Sequence, residues 1–306
     1  MQDKLKIWRP DRSWEEASSE WDQGSRKHET TSPLKTLKTL PQMPGITKET
    51  AKGLKWKSIK YILSHDKERV FLRYFFYHPL QYTLRWVKSA LKKKSFHRDG
   101  DFFLYGLKNV QAFIEGIKKK DVVLVVGFSY CHKPFECPSL RFSPECIHDP
   151  EHPVCRQCFI GKTVNALPSL NLETAVGDGK LTQPFDSESC ITSPSRTAVS
   201  RLNHRQIIPL FIPTIHYIGE KIFEIAEANP GKQILFLITA CEMTLEMFGN
   251  WGNMVDIRGI GVRLDGRICN TMKAFELSEA GIKPGLTVVL PETQEQILSF
   301  IRQMWE

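Results

Sequence analysis

At 306 residues the chain is long enough for one large domain or two ordinary ones, and 41% apolar residues is slightly low for a chain that packs throughout. No apolar stretch approaches the roughly 18 residues of a membrane-spanning helix, and the first twenty residues carry no run suited to a secretory signal. The net charge of +8 is concentrated, because Lys52 to Arg98 hold nine Lys and four Arg against Asp66 and Glu68, a net +11 that leaves −3 for the rest.

In chain order, residues 1–52 are polar and proline-punctuated, as in "TTSPLKTLKTLPQMPG", and read as a disordered tail. Residues 53–120 read as a basic, aromatic helical segment. Two short helices break near Pro79, and a further helix carries Phe103, Leu107, Val110, Ile114 and Ile117 on its core face. Residues 121–306 read as an α/β domain. The strands "VVLVVGFS" (122–129), "KQILFLI" (232–238), "RGIGVRL" (258–264) and "LTVVL" (286–290) alternate with helical stretches. One of these, "TIHYIGEKIFEIAEAN", aligns Ile215, Ile218, Ile222 and Ile225. Two others open on capping-box patterns, Thr239-x-x-Glu242 and Thr293-x-x-Gln296. The expected fold is α/β, a parallel four-stranded sheet with flanking helices. A helical basic N-terminal segment precedes it, and a long cysteine-rich insertion, residues 130–213, follows the first strand.

Five of the eight cysteines lie between residues 131 and 158. In a chain expected to be cytoplasmic, such a cluster indicates metal or redox chemistry rather than disulfides. Cys155 and Cys158 are two residues apart, a spacing that lets one turn present both sulfurs to one ion, in zinc and iron–sulfur sites alike. Cys137 and Cys146 complete a candidate four-sulfur metal set, with His132, His148, His152 and Asp149 as substitute ligands. A redox-active pair, or loop thiols that bind nothing, are the alternatives.

Cys131, Cys241 and Cys269 each follow a predicted parallel strand and therefore share one sheet edge, the edge where α/β proteins bind ligands. They form the candidate cofactor-binding set. Cys241 is placed in the first turn of the helix behind Thr239, where the helix dipole favours a thiolate. It is the candidate catalytic residue, with Glu242 beside it as acid or base. Small apolar residues near strand ends are the plain structural reading of the same three cysteines. Cys190, in "DSESCITSPS", reads as a loop thiol.

"CRQCFIGKT", the "ITACE" turn and "GVRLDGRICNT" resemble an uncharacterised family of cysteine-rich prokaryotic proteins, a domain of unknown function thought to bind metal. The resemblance spans residues 121–290 at most and touches Cys146, Cys155, Cys158, Cys241 and Cys269. It implies a metal site and no reaction.

Other motifs fail. "GKT" (161–163) ends like a phosphate-binding loop, but Arg156 stands at its first glycine position, and "RGIGVRLDG" has Leu264 at the third glycine of a dinucleotide fingerprint. There is no G-x-S-x-G elbow or H-E-x-x-H helix. The basic aromatic segment, residues 52–98, is read as a packing layer with solvated lysines, as a surface for an anionic membrane, or, third in order, as a nucleic-acid site. The whole reads as a cytoplasmic metal-binding protein, peripheral to a membrane in one version. It carries an iron–sulfur cluster or zinc, and its protein or redox partner is unspecified. The rival is a non-enzymatic, zinc-stabilised module that binds an anionic membrane surface or a protein through its basic segment.

Overall fold

The structure is a computed structural model. It describes residues 46, 52–66, 69–91, 96–119, 121–134, 136–139, 146, 149, 151–166, 206–252, 255–266, 268–269, 271–279 and 287–303. The tail expected to be disordered, apart from Ile46 and Lys52, lies outside these residues, as do His148 and Cys190.

Helices α1 (Leu54–His65), α2 (Val70–Tyr77) and α3 (Leu84–Leu91) come first, with a π-helical turn at Pro79–Thr83 between the last two. The break falls at Pro79, as the missing N–H requires. Strands β1 (His97–Asp99) and β2 (Phe102–Tyr105) form a hairpin, followed by α4 (Val110–Ile117), β3 (Val122–Ser129), a 3₁₀ turn at Tyr130–His132, α5 (Pro153–Gln157) and α6 (Phe159–Ala166). Then come β4 (Gln206–Ile212), α7 (Ile215–Ala228), β5 (Gln233–Ala240), α8 (Glu242–Gly252), β6 (Arg258–Arg263), β7 (Asp265–Gly266), α9 (Met272–Glu279), β8 (Thr287–Val288) and α10 (Pro291–Gln303).

The main sheet has six strands in the order β1-β2-β6-β5-β3-β4. β3 pairs in parallel with both β4 and β5, and β5 with β6, while β2 joins β6 antiparallel. The expected four-stranded parallel sheet is therefore corrected in three ways. The sheet is mixed and larger. Its fourth parallel strand is Gln206–Ile212 rather than 286–290, which supplies only β8 of a two-stranded ribbon with β7. The insertion accordingly ends at residue 205, not 213. Pro209 hides β4 from a sequence reading, but among the described residues the strand lies at the sheet edge and pairs on one side only, which is where a residue without an N–H is tolerated.

The helix expected from Phe103 onward begins only at Val110. Gly106 turns the chain with φ 61, and the Asn109 side chain accepts the Ala112 N–H at 2.9 Å to cap α4. Phe102–Tyr105 is free to extend and joins the sheet, so residues 97–105 belong to the same layer as the strands beyond residue 121.

Alternation along β5 separates the layers. Leu235 lies under Gly116 of α4, whereas Phe236 meets Phe248 of α8 at 5.6 Å between ring centroids, so α4 and α8 cover opposite faces. α1–α3 form an outer layer over α7 and α8. Phe71 seats on Gly219, where a Cβ would stand 2.4 Å from its ring, and Tyr74 stacks on Phe223 at 4.2 Å. The packing-layer reading therefore holds for one face of the basic segment, with Leu54, Ile62, Phe71, Tyr74 and Tyr82 buried. Among the described residues no helix is long and apolar enough to cross a membrane.

Candidate functional site

Counting only the parallel strands, the order reads 2-1-3-4, so the chain leaves β3 toward one side and β5 toward the other. The crevice at the carboxyl ends of β3 and β5 is the point where doubly wound sheets bind ligands. Cys131 sits in the turn directly after β3, and Cys241 directly after β5. Both line one cavity together with Cys269, which follows the β7 ribbon strand, and all three are buried. Tyr130, Thr214, Thr244, Ser278 and Glu279 are among the polar lining residues, and Ile212, Ile238 and Phe275 form part of the apolar wall.

Local contacts fix each position. The Cys131 carbonyl accepts the Thr287 hydroxyl at 2.6 Å, and Tyr130 and Ser278 share a hydroxyl hydrogen bond of 2.5 Å that ties the turn to α9. β5 runs on through Thr239 and Ala240, so the expected Thr239 cap does not form. Cys241 takes the cap position itself: its carbonyl accepts the Leu245 N–H at 3.0 Å, and its sulfur lies 3.1 Å from the Thr244 hydroxyl. Thr293 likewise lies inside α10 and donates to Asp101 at 3.1 Å instead of capping. The helix terminus does not make Cys241 a ready thiolate. Burial pushes its thiol up to about 11, reinforced by Cys131 and opposed by the Thr244 hydroxyl and amide.

Glu242 points elsewhere. Its carboxylate pairs with Arg98 at 2.9 Å and accepts the Ile46 N–H at 3.3 Å, clamping the β1–β2 hairpin to α8, and it is not among the residues lining the cavity. The carboxyl group that does line it is Glu279. It accepts the Ile215 N–H at the start of α7, 3.3 Å away, and burial raises it to about 8. Sequence reasoning missed Glu279. Its only signal was its place in "FELSEAG", at the end of a helix whose partner face was unknown.

A second cavity gathers the other set. Cys137, Cys146, Cys155 and Cys158 line it with Lys133, Val154 and Ile160. α5 carries Cys155, and Cys158 ends it and opens α6, so the two sulfurs flank the junction of two short helices. The Ile160 and Gly161 amides at the start of α6 point at the Cys158 sulfur, and the Asp149 amide at that of Cys155. Burial outweighs these donors and raises both thiols. It pushes Cys146 up to about 12, where the nearby Lys133 ammonium opposes it and the other three sulfurs reinforce it. Lys133 is itself 2% exposed, over the Phe211 ring, and sequence reasoning passed it over as one more lysine.

His148 lies outside the described residues, Asp149 stays beside the set through its amide at Cys155, and the side chains of the described substitute ligands are engaged in other contacts. His132 packs its ring near Phe159, His152 caps α5 through the Val154 N–H, and Asp149 accepts the Glu151 N–H at 2.8 Å. Among the described residues no three or more His, Cys, Asp or Glu side chains stand close enough to hold one ion, so the sulfurs face shared cavities without closing a shell. No family model, curated protein or solved structure matches this chain.

Proposed function

We propose that this is a metal-dependent α/β protein with two cysteine centres. Cys137, Cys146, Cys155 and Cys158 hold zinc or an iron–sulfur cluster that folds the insertion. Cys131, Cys241 and Cys269 form a reactive pocket at the sheet edge, with room for a metal that keeps one position open. The observation that carries this reading is the division of the seven described cysteines, four and three, between two cavities with none left over.

The donor types suit the reading, which requires the sulfurs to close on the ion from the wider spacing they have among the described residues. Buried thiols crowded together resist ionisation, and a soft cation is what exchanges their protons for bonds. Four sulfurs suit zinc or iron–sulfur ligation, and amides aimed at Cys155 and Cys158 are the outer donors that steady ligating thiolates. Bound metal would supply a cross-link in the insertion and Lewis-acid or electron-transfer chemistry in the pocket. The chain's own part is positional. Thr244 orients the Cys241 sulfur, the Ile215 amide fixes the Glu279 carboxyl, and isoleucine and phenylalanine side chains wall the pocket.

Anaerobic purification with metal analysis and a visible spectrum tests the reading, with about one tightly held zinc or iron centre per chain expected at the four-cysteine site. The double variant Cys155→Ser/Cys158→Ser should lose that centre. Cys241→Ser should cost pocket metal or activity with the fold intact, and Cys190→Ser should cost neither. A chain free of zinc and iron throughout would sink the proposal. Zinc that Cys241→Ser leaves untouched, with no iron, would favour the rival module in which zinc only folds the insertion.

A further inference from the structure

The helical layer α1–α3 presents two faces, and the buried one already satisfies the fold. Phe71, Tyr74 and Tyr82 are enclosed, and Trp86 stacks with Trp251 at 6.0 Å between ring centroids. The outer face is unlike the rest of the surface. Of the ten large hydrophobic side chains exposed among the described residues, nine lie between Trp56 and Leu91. Leu80, Leu84, Val87 and Leu91 recur at intervals of four, three and four residues as a stripe along the π-turn and α3, and Phe76 and Tyr77 stand exposed at the end of α2, just ahead of the break at His78. Phe76, Leu80 and Leu91 are each 78% exposed or more. A patch of this kind on a soluble surface marks an interaction site.

Charge selects the occupant. From Arg69 to Arg98 the chain carries eight Lys and Arg and no Asp or Glu. A second copy of the chain would bring the same positive set against itself, and like charges across an interface disfavour that pairing. A negatively charged bilayer complements both features. Its headgroups meet Arg73, Arg85 and Lys88, all exposed, and its acyl boundary takes the stripe. We infer that the outer face of α2, the π-turn and α3 docks this protein on an anionic membrane surface, lying in the interface without crossing it. The cavities of both cysteine sets are lined by none of these residues, so docking leaves them open.

Co-sedimentation of the full chain with lipid vesicles tests this independently of any metal. Vesicles of phosphatidylcholine with about 30% phosphatidylglycerol should bind it, those of phosphatidylcholine alone should not, and raising salt from about 0.1 to 0.5 M should weaken uptake about tenfold or more. Phe76→Ser/Leu80→Ser and Arg73→Glu/Lys88→Glu, whose wild-type side chains are exposed, should each cut uptake by about tenfold while circular dichroism stays unchanged. Equal uptake by neutral vesicles, no uptake by either, or full uptake by either double variant overturns the inference. So does a concentration-dependent dimer that binds no vesicles, which would assign the stripe to a second copy.

Discussion

A cysteine at the start of a helix is usually read as activated, yet at Cys241 burial outweighs the helix end. At pH 8 a thiol with pKa near 8.5 is about a quarter ionised, whereas one near 11 is ionised about one part in a thousand. Metal-free native protein should therefore alkylate at Cys241 about two hundredfold, and at Cys146 about two thousandfold, more slowly than free cysteine. Peptide mass spectrometry of iodoacetamide-treated protein measures this, and rates within tenfold of free cysteine would mean that the Thr244 donors at Cys241 and the Lys133 ammonium at Cys146 prevail over burial. Gly259 marks the opposite extreme, a residue whose role is to be absent. Its φ is 151 and a Cβ there would stand 2.1 Å from the Phe236 carbonyl oxygen, in the middle of the β5–β6 pairing. Gly259→Ala should cost on the order of 3 kcal/mol or more, read as a lowered denaturant midpoint or as loss of soluble protein.

Between elements, the joint of α1 with α7 rests on His216, whose ring Nε2 lies 3.2 Å from the Ile62 carbonyl, within 6.1 Å of the His65 ring and 5.8 Å of the Tyr61 ring. Burial lowers its pKa, with His65 adding to the effect and the Ile62 carbonyl opposing it. The folded protein thus keeps the ring neutral where the unfolded chain takes up a proton. This contribution to stability is complete above the unfolded value of about 6.5 and is lost as pH falls through the depressed folded one. Thermal unfolding at pH 7.5 and 5.0 should show a drop in midpoint that His216→Gln, which keeps a donor for Ile62, makes smaller. At this scale the sequence was legible wherever one period dominated. "VVLVVGFS" could only be a buried strand, and Ile215, Ile218, Ile222 and Ile225 all reach the core. It was opaque where two readings share a pattern. "FFLY" satisfies helix and strand equally, and tertiary pairing with β6 decides it. The Thr-x-x-Glu and Thr-x-x-Gln patterns mimic caps, but β5 runs past one and α10 begins ahead of the other. For the cysteines, the rule that parallel strands end on one side brings Cys131 and Cys241 to one cavity, whereas Cys269 reaches it beyond the β7 ribbon strand. Glu279 could not be foreseen, because only the packing of α9 brings it there.

For the whole molecule, strand order is what no local pattern encodes. The hairpin at residues 97–105 adds to the far side of β6, so its register with Gly259–Val262 spans more than half the chain. Phe71 likewise finds its seat on residues far along the chain, Gly219, Phe223 and Trp251. A ribosome adding about 5 to 20 residues per second needs on the order of ten to forty seconds to travel from the first of these partners to the last. Until α7 and α8 emerge, the nascent helices α1–α3 have neither face covered, and their aromatics are open to chaperones, to aggregation or to a nearby bilayer. The strand Phe102–Tyr105 thus waits for Gly259–Val262. A chain stopped at residue 255 should lose protease protection at Phe102–Tyr105, although every residue of that strand is present; unchanged protection there would mean that the hairpin holds without β6.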